Sequence, residues 1–185
     1  MTSYCDFAAD HPVHAHYHNH EYGFPVTDEA VLFERLALEI FQAGLSWEIV
    51  LKKRAGTFAA FDGFLVDKVA AYGERDVVRL LGDAGIIRNK LKVASIIDNA
   101  QRLQSMRPDG GFTAWLDRHH PMSRKEWTKL FKKTFRFTGG EIVNEFLMSV
   151  GYLPTPHDPA CPVYSKIVAL DPPWHRADPA VFTAD

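Results

Sequence analysis

Cys5, His18, His157 and Cys161 are side chains of the kind that bind a soft metal, spaced C-x12-H near the start of the chain and H-x3-C near its end. Two thiolates and two imidazoles suffice for a tetrahedral Zn2+ site, and ligands drawn from both ends would staple the terminal segments together. His11, His14, His16 and His20 compete with His18 for its place. A plainer arrangement also fits these residues: one buried thiol, one surface thiol and solvated histidines. An oxidising compartment would allow a disulfide instead.

A second group surrounds a carboxylate. Glu39 stands inside an apolar helical run, and Trp47 follows across a corner, so that an anion and a large aromatic would face one cleft. With Phe7, Tyr17 and Tyr22 they offer flat walls for an extruded base and a polar group for its edge. A cationic base would gain further from ring faces and a carboxylate. The alternative is that Glu39 pairs with Arg35 one turn back while the aromatics fill the core.

The third group is basic. In WTKLFKKTFRFTGGEIVNEFLMSVG two helices flank a loop carrying Gly139 and Gly140. Glycines there let the backbone approach a phosphate, whose charge meets the amide N–H groups opening the second helix. From Arg124 to Arg136, the cations Arg124, Lys125, Lys129, Lys132, Lys133 and Arg136 oppose the single acid Glu126. Such a local excess suits a phosphate backbone, although a solvated helix face would have the same composition. Arg88, Lys90 and Lys92 could extend the strip.

The elements that must position these groups read as helices. Thr27 and Asp28 can cap a helix whose apolar positions recur through Leu32, Leu36, Ile40 and Ala43. Gly44 fits a left-handed stop, and Ser46 can cap a second helix from Trp47 to near Phe61. Periodicity and glycine breaks place further helices near 67–72, 75–82 and 89–104, with a short one in FTAWLDRHH. Ser123 and Glu126 form a capping box, and Gly151 stops the helix of the EIVNEF segment. Residues 1–26 read as an irregular wrapped segment, and 165–185 as an extended proline-rich tail. No strand-like alternation or internal repeat is evident, so the fold class is all-α.

A chain of 185 residues, 46% hydrophobic and 24% charged, can bury the core of one domain. The formal net charge of −2 means that any nucleic-acid surface must be local. No apolar run is long enough for a bilayer, and MTSYCDFAAD lacks the regions of a signal peptide, so the expected location is cytoplasmic, in function at the nucleoid.

Taken together, YHNHEYGFP (17–25), LFERLALEIFQAGLSWEIVLKKR (32–54), DAGIIRNKLK (83–92) and the basic hairpin of 127–151, followed by H-x3-C, resemble the DNA-3-methyladenine glycosylase I family. The resemblance implies a single helix–hairpin–helix domain over 1–185, in which segments 1–26 and 152–164 meet at zinc on Cys5, His18, His157 and Cys161. It implies a monomeric, monofunctional glycosylase that removes 3-methyladenine from alkylated double-stranded DNA in base excision repair. Glu39 would bond the amino edge of the lesion, Trp47 stack on it, Tyr17 wall the pocket, and the loop at Gly139 grip a phosphate. Phe7 and Tyr22 stand where the family commonly has Trp, and His14 where it has a pocket Tyr, which alters pocket shape and lesion range. Gly139-Gly140-Glu141 replaces a frequent Gly-Pro-Thr. Glu141 falls near the lysine nucleophile of bifunctional relatives, so no Schiff-base step is expected. Asp158, near the superfamily's catalytic Asp in sequence, lies between two ligands and is expected to face solvent or support His157. The rivals are a damage binder that does not excise and a purely structural zinc-stapled protein.

Overall fold

The computed structural model describes residues 3–183, which form helices joined by turns, with no strand among them. Ser3 and Asp6 cap each other's backbone N–H groups, so the chain turns helical at once: α1 is Tyr4–Ala8 and α2 is Ala15–His20. This corrects the irregular reading of the first 26 residues. Both helices are short enough that histidine-rich composition concealed them.

Asp28 accepts from the Val31 N–H to start α3 (Glu29–Gln42), as its sequence indicates. Ten consecutive residues of α3, Leu32–Phe41, are buried, which makes it the central strut. At the following corner Gly44 takes φ +79°, a conformation costly for a side chain. Ser46 then caps α4 (Trp47–Ala60) through the Ile49 N–H. Lys92 locks the corner, its buried ammonium donating to the carbonyls of Phe41 and Ala43 at 2.8 and 2.6 Å. These are orphan acceptors at the end of α3, and a cation there also suits the helix dipole. Burial holds the Lys92 amine below its usual range.

The next helices fall within about two residues of their expected bounds: α5 (Val66–Ala70), α6 (Glu74–Gly82), α7 (Lys90–Ser105) and α8 (Gly111–His119). The Ser123–Glu126 capping box starts α9 (Arg124–Thr134), and α10 (Gly140–Ser149) returns against both α9 and α3. Trp127, Phe131, Phe112 and Phe146 are fully buried between α8, α9 and α10, and the last two rings stack at 5.7 Å. Among the described residues no helix is long and apolar enough to cross a membrane.

The tail is not extended. It forms α11 (Pro162–Ala169), α12 (Pro173–Arg176) and α13 (Ala180–Thr183). Pro162 and Pro173 open two of these helices, where a missing N–H costs nothing and a fixed φ helps. Residues 184–185 lie outside the described part.

A charged network fastens the N-terminal segment to the struts. Glu21 accepts from Arg35 at 2.7 Å and from both terminal nitrogens of Arg54 at 2.8 Å, while Arg54 also clasps Glu34 at 2.8 and 3.0 Å. Arg35, the alternative partner for Glu39, is therefore engaged by Glu21. Burial works against ionised Glu21, but the Arg54 hydrogen bonds and the Arg35 and Arg54 charges outweigh it and hold the carboxyl below 4.5. Its contribution is thus complete above pH 4.5 and is lost as pH falls through the lowered value. Arg54→Met strands Glu34 and leaves Glu21 with Arg35 alone, and a loss of about 3 kcal/mol is expected. The urea midpoint at pH 7 measures it, and the deficit should shrink below pH 4.

Candidate active site and metal cluster

The corner between α3 and α4 opens a cavity of about 210 Å³. Tyr4, Tyr17, Tyr22, Glu39, Gln42, Trp47 and Glu145 surround it. Tyr17 and Tyr22 stack at 5.3 Å, and Trp47 leans across with its centroid 5.1 Å from Tyr17. Trp47 is half-buried and outside the main core, so it is a wall rather than filler. Glu39 and Gln42, one turn apart on α3, supply polar groups at the floor.

Two groups in this cavity lack satisfaction. The Tyr17 hydroxyl is buried and finds no hydrogen-bond partner among the described residues. Its ring is backed by the Arg35 guanidinium, 5.1 Å from the centroid. Glu39 is only 4% exposed. Burial, and secondarily the charge of Glu145, push its carboxyl well above the usual range, and Arg35 offsets this only in part. The sequence suggests an anion facing a cleft, and the carboxyl is sunk among rings, surroundings that disfavour its charged form.

Phe7 and His14 do not reach the cavity. Phe7 is half-exposed, packing on the rings of His11 and His14 at 4.7 and 5.2 Å. His14 is buried one layer behind, its Nδ1 3.0 Å from the Tyr4 hydroxyl, and burial lowers its imidazole. Tyr4 occupies the space instead. Tyr4, Gln42 and Glu145 escaped the sequence reading. Only Gln42 carried a local signal, being three residues beyond Glu39 on the same helical face.

A shallower cleft of about 530 Å³ adjoins the cavity and reaches the α9–α10 loop. It runs along Glu39, Gln42, Gly44, Gly139, Gly140 and Glu145. Gly139 has φ −74°, so its glycine is not demanded by backbone strain. A side chain there would meet nothing of the protein, leaving the loop open to a ligand. The left-handed residue is Phe137, at φ +60°. Asn99 clamps the loop, accepting from the Arg136 N–H at 2.7 Å and donating to the Arg136 carbonyl at 3.0 Å. Lys132 and Lys133 are exposed on α9, while the Arg136 guanidinium is held 2.9 Å from Asp98.

At the far side of Tyr22, Cys5, His18, His157 and Cys161 bring their donor atoms within 4.8 Å of one another. His157 Nδ1 lies 3.6 Å from Cys5 Sγ and 3.7 Å from Cys161 Sγ, and His18 Nε2 lies 3.9 Å from Cys161 Sγ. Zinc bonds of about 2.3 Å to sulfur and 2.0 Å to nitrogen, at tetrahedral angles, predict S···N edges near 3.5 Å. The donors therefore fit such an ion. The outward nitrogens are tied as well: His157 Nε2 to the Tyr22 carbonyl and His18 Nδ1 to Asn19 Oδ1, both at 2.7 Å. Burial lowers His157, which suits a neutral ligand. Gly23 lies beneath this staple at φ +90°, where a side chain would strike Thr155 Oγ1 at 2.6 Å. Asp158 is exposed; its N–H donates to Cys5 Sγ at 3.4 Å, its side chain turns to the Ala160 N–H, and it does not line the aromatic cavity.

The chain is similar in sequence and fold to known proteins. DNA-3-methyladenine glycosylase 1 of Escherichia coli (strain K12) is 37% identical over 167 residues, covering 80% of this chain and 89% of its own length. The 3-methyladenine DNA glycosylase I of Staphylococcus aureus, solved for the basis of 3-methyladenine recognition, superposes with a TM-score of 0.76 at 30% identity, over 86% of this chain and 95% of its own. A Tyr-to-Phe variant of a 3-methyladenine DNA glycosylase I in complex with 3-methyladenine superposes at 0.77, with 29% identity over 86% of this chain and 96% of that one. Residues 7–129 match the model of the methyladenine glycosylases, a stretch that includes Tyr17, Tyr22, Glu39 and Trp47; by that match and these relatives, the chain belongs to the methyladenine glycosylase family.

Proposed function

We propose that the chain is a single-domain, monofunctional DNA glycosylase that hydrolyses the N-glycosidic bond of 3-methyladenine in alkylated duplex DNA. The observation that carries this reading is the continuity of the aromatic cavity holding Glu39 with the cleft at Gly139 and Gly140, which share Glu39, Gln42 and Glu145. A nucleotide turned out of the helix needs such a pair: a slot for its base and, one sugar away, a place for its phosphate.

N3-alkylated adenine is positively charged in DNA, and its bond to the sugar is already weak. The neutral tendency of Glu39 makes the slot selective. A cation beside the carboxyl restores its ionisation, whereas ordinary adenine leaves either a desolvated charge or a neutral acid. The Tyr17 hydroxyl offers a further hydrogen bond to the base edge, and Trp47 stacks on its face. The α9–α10 pair acts as a helix–hairpin–helix in which the N–H groups opening α10 meet a phosphate. Zinc on Cys5, His18, His157 and Cys161 is structural, since four protein ligands leave no position for water.

The test is an assay across several methylated bases under single-turnover conditions, with release of free 3-methyladenine expected. Binding without release would make the chain a damage binder, and no binding to duplex DNA would leave only a structural protein. Lys132→Ala and Lys133→Ala should weaken binding to all duplexes alike and reduce the slope of log K against log salt by about 0.9 per lost phosphate contact. Fluorescence anisotropy over a salt series measures that slope.

A further inference from the structure

Three side chains line both the slot and the cleft, and they mark the route of the sugar that joins base to phosphate. Gln42 is uncharged, and Glu39 is taken up by the base. That leaves Glu145, half-buried on α10 between the two spaces. The Tyr22 hydroxyl donates to its Oε2 at 2.7 Å, fixing the carboxylate, and no lysine or arginine pairs with it among the described residues. An unpaired carboxylate on the path of a phosphate backbone repels DNA in the ground state. Such a group becomes favourable only when positive charge develops beside it, as on the sugar ring when a glycosidic bond breaks.

We propose that Glu145 is a second catalytic carboxylate, set against the deoxyribose, which stabilises the charge developing at C1′ and accepts a proton from the attacking water. The proposal rests on the glycosylase reading and deepens it. In this step the C1′–N9 bond breaks and its electron pair leaves with the base, which departs neutral. The water oxygen bonds to C1′, and its proton passes to the Glu145 carboxylate and then to solvent.

The experiment pairs Glu145→Gln with two duplexes, one carrying a neutral tetrahydrofuran abasic analogue and one a pyrrolidine analogue that places a cation at the sugar. Wild-type protein should prefer the pyrrolidine duplex by about tenfold, and the variant should lose that preference while binding the neutral duplex as tightly or more tightly. Release of 3-methyladenine should slow by about a hundredfold, a loss much larger than any change in affinity for the free base. An unchanged pyrrolidine preference, or release at the wild-type rate, would overturn the assignment. So would an equal loss of rate and free-base affinity, which would make Glu145 part of base recognition. Wild-type protein that releases no 3-methyladenine from any duplex would remove the underlying reading first, and that outcome is visible before any variant is made.

Discussion

Glu39→Gln should slow excision of 3-methyladenine by about 10²–10³-fold, the usual cost of removing one aimed electrostatic group from a dry site. The same change should make the free protein more stable. A carboxyl whose folded-state value is raised binds its proton more tightly folded than unfolded, so stability declines as pH climbs from 4.5 through the raised value. Glutamine keeps the shape and never ionises. The melting temperature of the variant should therefore exceed that of the wild type by about 2–4 °C at neutral pH, the shift that about 1 kcal/mol gives in a chain of this size. The gap should narrow toward pH 4. Opposite signs in activity and stability are the mark of a group retained for its work rather than for packing. Excision at the wild-type rate would exclude Glu39 from recognition, and a variant less stable at every pH would exclude the buried-acid account.

Cys161→Ser should release the metal and lower the melting temperature by about 8–16 °C, taking only some 4 kcal/mol of the binding energy known for structural zinc as linked to folding. Wild-type protein purified without added zinc should carry about one equivalent, and a strong chelator should reproduce the loss. Metal content well below one equivalent in a fully stable protein would refute the zinc assignment.

Much of this arrangement was legible because the residues involved lie close in sequence. Asp28, Gly44 and Ser46 announce the ends of α3 and α4 through capping chemistry that acts over three residues. Glu39 and Trp47 flank the same corner, and their meeting follows from it. The C-x12-H and H-x3-C spacings suggested a joint ligand set, and the four donors do meet. What stayed hidden is tertiary. Tyr4 reaches the cavity only because α1 folds over α2, and Glu145 only because α10 returns against α3. The tail misled through its prolines, which mark helix starts when they fall in the first turn. Phe7 and His14 stand behind the pocket, and Tyr4 lines it in front of His14.

The Tyr22 residue links two parts of the molecule. Its ring walls the base slot, and its carbonyl accepts the outward nitrogen of His157. Anything that frees the His157 imidazole removes one of the hydrogen bonds that position the peptide carrying that ring. With zinc bound to the cluster as proposed, thiol oxidation or loss of the metal would loosen one tether of a cavity wall without removing the others.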